Sequence, residues 1–150
     1  MSLGDLFPES LKKNFAERNV DIGKAILIEI VELQVNYPKY VIIVGNNDEE
    51  MLLAYVIINT EINPNLFPSP YLKSLHILID KDRHDFLEYD SHINCAELKE
   101  FGKQEVIDFL VANPERAIGN IHEDLLKSVH YTIMTATTIS KFQKKKFGFC

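Results

Sequence analysis

One segment, Leu53–Asn63 (LAYVIINTEIN), constrains the fold more than any other part of the chain. Its continuous apolar run, Ala54–Ile58, is typical of a buried strand, and small polar residues follow at once. The backbone therefore leaves the core here and delivers hydroxyl, amide and carboxylate groups to a rim. A companion run, Tyr40–Gly45 (YVIIVG), precedes it and ends in a glycine that suits a turn. The two runs predict a hairpin at the centre of a small antiparallel sheet.

The rest of the chain is predicted to add further strands and then helices, which indicates an α+β fold. The 150 residues and their 46% apolar content predict a single domain, residues 1–150. Its parts are an N-terminal helix (1–20), a mainly β region (21–101), a helical region (102–140) and a loose basic tail (141–150). The other predicted elements, in chain order, are a helix Asp5–Arg18, a strand from Lys24 to Val35, a strand Leu72–Ile79, extended pieces Phe86–Tyr89 and His92–Cys95, a helix Lys103–Val111, a break at Gly119-Asn120 and a helix His122–Ser140.

The net charge of the chain limits which partners it is expected to bind. A formal net charge of -6 argues against a protein dedicated to binding nucleic acid, although a local basic patch can still attract phosphates. No apolar run is long enough to span a membrane, and the N-terminus lacks a basic segment followed by an apolar one. We therefore expect no membrane association and a cytoplasmic location.

The sequence lacks the strong signatures of cofactor binding and nucleophilic catalysis. It has no glycine-rich phosphate-binding motif, no H-E-x-x-H, no C-x-x-C and no G-x-S-x-G elbow. Cys95 and Cys150 are far apart in the sequence, so no disulfide framework is expected. Cys95 is predicted to be a small buried residue and not a reactive thiol. We therefore predict no cofactor.

His76, His84 and His92 recur at intervals of eight residues and raise the question of a metal site. With Asp82 or Asp90 they could surround zinc, since imidazole and carboxylate are both zinc ligands. Nothing in the sequence brings them to one point, because His84 lies in a charged turn and His76 in a strand pattern. We interpret these histidines as structural or surface residues and predict no metal site.

The tripeptide Asp90-Ser91-His92 has the residue types of a nucleophilic triad. Adjacent residues of an extended backbone point to opposite faces, so three consecutive side chains do not easily converge as nucleophile, base and orienter. A turn held by the Asp90 side chain is the favoured interpretation.

The C-terminal tail, KFQKKKFGFC, mixes lysines with phenylalanines, as some segments that bind nucleic acid do. Lysines at the end of a helix also interact favourably with its negative pole. The favoured interpretation is a solvated helix end.

The order of five short segments is more informative than any single motif. They are, along the chain, GKAILIEI, KYVIIVG, IINT, YDSHINCAEL and IGNIHEDLL. In this order and spacing the sequence resembles the MazF/PemK/Kid family of toxin ribonucleases. The family pattern runs from a Gly-acidic strand through an Arg-Pro-led strand to a strand ending in Thr-Ser or similar. A strand with Cys-Asp-Gln and a helix led by Gly-x-Leu follow, and the resemblance covers roughly Asp21 to Ile139.

The resemblance implies a strongly curved, SH3-like antiparallel barrel with appended helices, assembled as a homodimer. Members of the family are toxins of toxin–antitoxin systems and cut single-stranded RNA without a metal. The 2′-hydroxyl of the RNA attacks the adjacent phosphate, so the site needs a base, an acid and a cation or donors for the developing charge. The implied partners are single-stranded RNA and an antitoxin or another protein.

The resemblance also implies the site residues. Thr60 matches the family's threonine at a strand end, and Lys39 takes the place of the arginine that leads the second strand; these two are the predicted catalytic residues. Asn94 falls where some members have another arginine and Glu97 where they have glutamine, and these two are the predicted substrate-binding residues. Ala96 replaces an aspartate beside the cysteine. These departures remove a cation and a carboxylate, so the prediction includes a divergent or inactive member of the family.

Two further functions remain open. A non-catalytic SH3-like module could keep the barrel and accept an extended or helical segment of a partner protein at a sheet edge. A small-molecule enzyme could use Asp90, His92 or Glu97 as acid and base, although no motif indicates a substrate. In favour of the ribonuclease, Lys39, Thr60 and Asn94 lie at ends of predicted strands, where functional sites are commonly built. The open alternative is that Thr60 simply ends a strand and Lys39 is exposed.

Overall fold

The computed structural model describes residues 8–30 and 37–149. In this part of the chain six strands form one antiparallel sheet that curls into a half-barrel, with helices packed against it. The elements are α1 Glu9–Arg18, β1 Lys24–Ile28, β2 Lys39–Asn47, β3 Leu52–Asn59, α2 Pro70–Ser74, β4 His76–Ile79, β5 Ser91–Gly102, α3 Lys103–Ala112, β6 Ala117–Asn120, α4 Glu123–Thr135 and α5 Lys141–Lys146, with short 3-10 helices at Lys81–Arg83 and Pro114–Arg116. The strand order is β4-β5-β3-β2-β1-β6, so the β2–β3 hairpin lies at the centre, as the sequence predicts. The α+β class and the curved antiparallel sheet with appended helices are confirmed.

The sheet has a separate apolar core on each face, because successive residues of a strand point to opposite sides. On the first face, which we call the α4 face, Ile42 packs with α4 and with the segment after α5. On the second, the α1–α3 face, the neighbouring Val41 packs with α1 and α3. Leu125, Val129 and Ile133 recur every four residues of α4 and are buried, so they form an apolar stripe that packs on this face. Each buried aliphatic side chain contributes roughly 1.5–3 kcal/mol, so the two cores hold the sheet between its helices.

Strand β5 contains a wide bulge that shapes the site. Ile57 of β3 lies opposite Asn94 of β5, whereas Tyr55, two residues earlier, lies opposite Lys99. Five residues of β5 thus span the length of two residues of β3, and three extra residues are accommodated between Asn94 and Lys99. Inside the bulge, the N–H of Ala96 donates to the side-chain oxygen of Asn94 at 3.0 Å. Bulges of this kind bend a strand and re-aim its side chains.

The structure corrects the predicted strand Leu72–Ile79, whose first half is helical. Helix α2 occupies this half because Ser69 caps it, its hydroxyl accepting the N–H of Leu72 at 3.1 Å. Pro70 also favours a helix here, since proline suits the first helical turn. These two local signals outweigh the apolar run, and the strand begins at His76.

Three predictions about extended segments need correction. His92–Cys95 is not a short piece but lies inside the 12-residue strand β5, and Phe86–Tyr89 lies outside any strand. Gly119-Asn120 is not a break between helices but part of β6, which pairs with β1 at Lys24. Strand formation depends on cross-strand contacts, and a local pattern contains little information about them.

The tail 141–150 is not loose over its described part. Its first residues form α5, which the hydroxyl of Ser140 caps, and Phe147 and Phe149 are buried in the core of the α4 face. Gly45 permits this packing, because a Cβ at that position would lie 3.0 Å from the Cβ of Phe147. Gly45 therefore serves a close approach inside β2 and does not form the predicted turn.

Other predicted boundaries shift. Helix α1 covers the described part of the helix predicted for Asp5–Arg18, whose first residues lie outside the described ranges. Strand β1 is the start of the strand predicted from Lys24 to Val35, and most of the remainder falls in residues 31–36, also outside them. Helix α4 ends before the predicted Ser140. Of the helices in the described ranges, none is long and apolar enough to cross a membrane.

Candidate functional site

A cleft of about 390 Å³ opens on the α1–α3 face, where the start of β2 meets the end of β3 and the bulged part of β5. We call it the Lys39 cleft. Charged, amide and aromatic side chains predominate in its lining, which consists of Tyr37, Lys39, Ile57, Asn59, Glu61, Asn63, Leu66, Phe67, His76, Asn94, Glu97 and Lys99. None of these residues belongs to α1 or α3, so the helices that cover the rest of this face leave this end of it open.

Lys39, a predicted catalytic residue, is the first residue of β2. Its ammonium group donates a hydrogen bond to the side-chain oxygen of Asn59 at 2.6 Å and lies 5.7 Å from the centre of the Tyr37 ring. Burial lowers the pKa of Lys39 below its usual value, because the charged form loses hydration. Lys39 can therefore contact an anion in the cleft, and it gives up its proton more readily than an exposed lysine does.

Glu97 and Lys99 reach the cleft from the bulge of β5. The Oε2 of Glu97 lies 3.8 Å from the Nζ of Lys99, and the Glu97 side chain is 57% exposed. An ion pair this exposed contributes at most about 1 kcal/mol, so a bound phosphate can compete for Lys99 at little cost. Glu97, a predicted substrate-binding residue, thus lies in the cleft, and Lys99 is a second cation that the sequence analysis missed.

The remaining predicted residues, Asn94 and Thr60, differ in their placement. Asn94 is buried in the wall of the cleft, where its side-chain oxygen holds the N–H of Ala96 and so stabilises the bulge. Its amide nitrogen is the donor that could reach a ligand. Thr60 is exposed in the bend after β3 and is not among the residues that line the cleft. The structure therefore brings Lys39, Asn94 and Glu97 together and leaves Thr60 outside.

His76, which the sequence analysis treated as structural or surface, also lines the cleft. Its ring is 8% exposed, and its Nδ1 lies 3.0 Å from the carbonyl oxygen of Leu72, which can only accept a hydrogen bond. In the neutral ring Nδ1 therefore has the hydrogen and Nε2 the lone pair. Within residues 8–30 and 37–149, the buried Nε2 has no hydrogen-bond partner. The spacing of histidines could not reveal this, because the cleft forms only when β4 pairs with β5.

The other histidines do not join His76 in a metal site. His84 is buried, its Nδ1 lies 2.7 Å from the carbonyl oxygen of Asp80, and its Nε2 accepts the backbone N–H of His122 at 3.0 Å. It links a turn to the start of α4 and is structural. Across the described part of the chain, no group of three or more His, Cys, Asp and Glu residues is placed to hold a metal ion.

Two other candidate sites do not provide a nucleophile. The Oδ1 of Asp90 accepts the N–H of Lys81 at 2.9 Å, so this side chain holds a turn, as predicted, and does not orient a triad. Cys95 is fully buried, and burial raises the pKa of its thiol to about 12. The thiol therefore stays protonated at neutral pH, which confirms the predicted inert, buried cysteine.

The Lys39 cleft combines two ammonium groups, two carboxylates, amide groups, aromatic rings and an imidazole whose Nε2 is unpaired among the described residues. Cations and donors stabilise developing negative charge, and an imidazole can move a proton, so the cleft suits phosphodiester chemistry that needs no metal. In comparisons with known proteins, no family model and no curated protein matches this sequence. The resemblance to the toxin ribonucleases therefore stays a prediction, and the functional argument rests on the cleft.

Proposed function

We propose that the chain is a divergent MazF-like toxin that cuts single-stranded RNA in the Lys39 cleft, without a metal and in the cytoplasm. The observation that carries this proposal is the convergence of Lys39, Asn94 and Glu97 in one cleft, together with His76 and Lys99. These residues come from the three strands β2, β4 and β5, and Lys39 in β2 is far from the others in the sequence. Their meeting in one cleft supports a shared chemical role.

The composition of the cleft suits a single-stranded polynucleotide. Lys39 and Lys99 place two cations in a chain of net charge -6, and phosphate responds to the potential nearby, not to the total charge. Tyr37 is 56% exposed beside Lys39 and offers a ring on which a base can stack. Stacking on a protein ring requires a base outside a duplex, which favours single-stranded RNA as the substrate.

In the proposed reaction, the 2′-oxygen of a ribose attacks the adjacent phosphorus, and the bond from phosphorus to the 5′-oxygen breaks. Lys39 and Lys99 stabilise the negative charge that builds up on the phosphoryl oxygens. Glu97 pairs with Lys99 until the phosphate takes the place of the Glu97 carboxylate. Asn94 contributes an amide donor. We assign no chemical step to Thr60, because it lies outside the cleft.

The test is cleavage of an end-labelled, mixed-sequence single-stranded RNA by the purified protein in EDTA. We expect cleavage, and we expect Lys39→Ala to lower kcat/KM by about 10²–10³-fold, because the transition state loses one stabilising cation. Lys145→Ala, on the exposed side of α5, is the matched control and should leave the rate unchanged. Absence of cleavage by the wild-type protein at high concentration would contradict the proposal.

A non-catalytic protein-interaction module is the second candidate, because apolar side chains are exposed around the cleft and at the neighbouring sheet edge. Leu66, in the cleft lining, is 66% exposed, and Leu78, on the edge strand β4, is 56% exposed. An edge strand with such side chains can accept an extended peptide. A stoichiometric protein that co-purifies from the host, without RNA cleavage, would favour this candidate over the ribonuclease.

The homodimer and the antitoxin implied by the resemblance belong to the first proposal. Light scattering should give twice the chain mass of 17.3 kDa if the homodimer forms. An antitoxin should relieve the growth arrest that expression of this chain causes. Growth without arrest in the presence of active protein would contradict the toxin role.

A further inference from the structure

We propose that His76 is the general base of the reaction, with its Nε2 taking the proton from the ribose 2′-hydroxyl. This inference rests on the proposed ribonuclease function and adds a residue that the resemblance does not include. The geometry that carries it is a histidine more than nine-tenths buried in the wall of the cleft, with Nδ1 bonded to the backbone and Nε2 unpaired among the described residues.

The bond from Nδ1 to the carbonyl of Leu72 does two things for a base. It fixes the orientation of the ring, and it places the lone pair on Nε2, since the hydrogen of the neutral ring stays on Nδ1. Burial also lowers the pKa of His76, because the charged imidazolium loses hydration. The ring is therefore neutral at physiological pH and ready to accept a proton.

The groups around the imidazole include some that favour its charged form and some that disfavour it. On the neighbouring strand β5, His92 disfavours the imidazolium and Glu97 favours it. Lys39, Lys99 and Glu61 line the same cleft. Glu97 thus stabilises the positive charge that forms when Nε2 takes the proton, while the two lysines face the phosphate.

The proposed step balances in atoms and charge. The lone pair on Nε2 takes the 2′-hydroxyl proton, the 2′-oxygen forms a bond to phosphorus, and the bond from phosphorus to the 5′-oxygen breaks. The departing 5′-oxygen keeps the electron pair and takes a proton from the Lys39 ammonium, which burial makes a better acid. The products are a 2′,3′-cyclic phosphate and a 5′-hydroxyl, and exchange with water restores imidazole and ammonium.

Nε2 is enclosed in this structure, so a neighbouring side chain must shift before a ribose can reach it, and we assign this shift to Phe67. Its ring packs against the imidazole, with 4.2 Å between ring centroids and 68° between the planes. It belongs to residues 60–69, between β3 and α2, where the backbone has turns and bends but no strand. A shift of this segment breaks no strand pairing, so the enclosure of Nε2 is compatible with the role of a base.

The test replaces His76 with asparagine and with glutamine. The asparagine amide can keep a bond to Leu72 but leaves the position of Nε2 vacant, whereas the glutamine amide reaches that position without a basic lone pair. Both variants should lower kcat/KM by about 10²–10⁴-fold, the usual contribution of general-base catalysis. His130→Asn is the matched control, because His130 is exposed on α4 and does not line the cleft, and it should retain the wild-type rate.

The pH profile provides a readout that a merely structural role would not change. The kcat/KM of the wild-type protein should rise with pH through a pKa below the ordinary histidine value of about 6.5, since the base works only unprotonated. It should fall again at higher pH, where the Lys39 ammonium loses the proton that it gives to the 5′-oxygen. An NMR titration of the His76 ring in the free protein should give the pKa of the rising limb. This comparison needs no variant, so it decides the matter even if His76→Asn fails to fold.

The outcomes separate this inference from the proposed function. Cleavage at an unchanged rate by folded His76→Asn, or a ring pKa that differs from the kinetic one, overturns the role of His76 and leaves the ribonuclease standing. Absence of cleavage by the wild-type protein overturns both. Loss of activity in both His76 variants, with matching kinetic and ring pKa values, supports the base.

Discussion

His76 and His84 are both buried, and the Nδ1 of each bonds to a backbone carbonyl, yet the two rings differ at Nε2. The Nε2 of His84 accepts the backbone N–H of His122, so both of its nitrogens bond within the fold. The Nε2 of His76 has no partner in residues 8–30 and 37–149. Buried polar groups are almost always satisfied, so an unpaired one needs an explanation other than stability. The comparison separates a histidine that holds the fold from one that is available for chemistry.

The regions around the two histidines differ in the same way. His84 connects a turn to α4, whose buried residues belong to the apolar core of the α4 face. His76 lies at the uncovered end of the α1–α3 face, where ammonium, carboxylate and amide groups replace apolar side chains. We therefore expect substitutions in the first region to affect stability and substitutions in the second to affect activity.

The same substitution at both histidines should separate the two regions most strongly. His84→Asn can keep the bond to Asp80 but leaves the N–H of His122 without an acceptor. The free energy of unfolding should fall by about 3 kcal/mol, counting the lost packing, while the folded protein keeps its cleavage rate. Urea unfolding measures the first and the RNA assay the second. His76→Asn should show the opposite pattern, and a His84→Asn protein as stable as wild type would break the comparison.

Close packing on the α4 face gives the next largest effect. A Cβ at Gly45 would lie 3.0 Å from the Cβ of Phe147, so Gly45→Ala should lower the free energy of unfolding by about 2 kcal/mol. At Gly102 a Cβ would meet the flexible Glu105 side chain at 3.3 Å, so Gly102→Ala is the control and should cost less. Urea unfolding of both variants checks this, and equal losses would count against the close packing of Phe147 on β2.

Stacking at the rim of the cleft should affect substrate binding and leave stability unchanged. Tyr37→Ala should raise KM about tenfold with kcat little changed, because a base loses a stacking partner worth roughly 1–3 kcal/mol. Tyr89 is 65% exposed and lies outside the cleft lining, so Tyr89→Ala is the matched control. Steady-state kinetics on the same RNA measures both, and an equal KM for the two variants would remove Tyr37 from the binding surface.

The smallest effect is expected in the turn before His84, in acid. The hydrogen bond from Arg83 holds the pKa of Asp80 down to about 2, with Nη2 and Oδ1 2.9 Å apart. The folded pKa is below the unfolded value of about 3.9, so this contribution to stability is present above that pH and is lost as pH falls toward 2. Arg83→Gln should therefore flatten the fall in melting temperature over this range. A fall as steep as in the wild type would assign the acid sensitivity to other groups.

The sequence predicts well those features whose signal is local. The apolar runs predict the central hairpin, and Cys95 is buried, as its residue type predicts. Segment order leads to Lys39, Asn94 and Glu97, which line one cleft. It also leads to Thr60, but the chain bends directly after β3 at this residue. The Thr60 side chain therefore lies outside the cleft, although the residue follows a strand end.

The sequence by itself therefore determined the α+β class, the centre of the sheet and three of the residues at its open end. Only the tertiary structure decided that Lys99 and His76 join them. Lys99 arrives through the three extra residues of the β5 bulge, and His76 through the pairing of β4 with β5. It also decided that the tail folds back, since Phe147 is buried only where Gly45 leaves room. Register, bulges and burial depend on partners distant in the sequence, and a local pattern does not specify which partner a strand will meet.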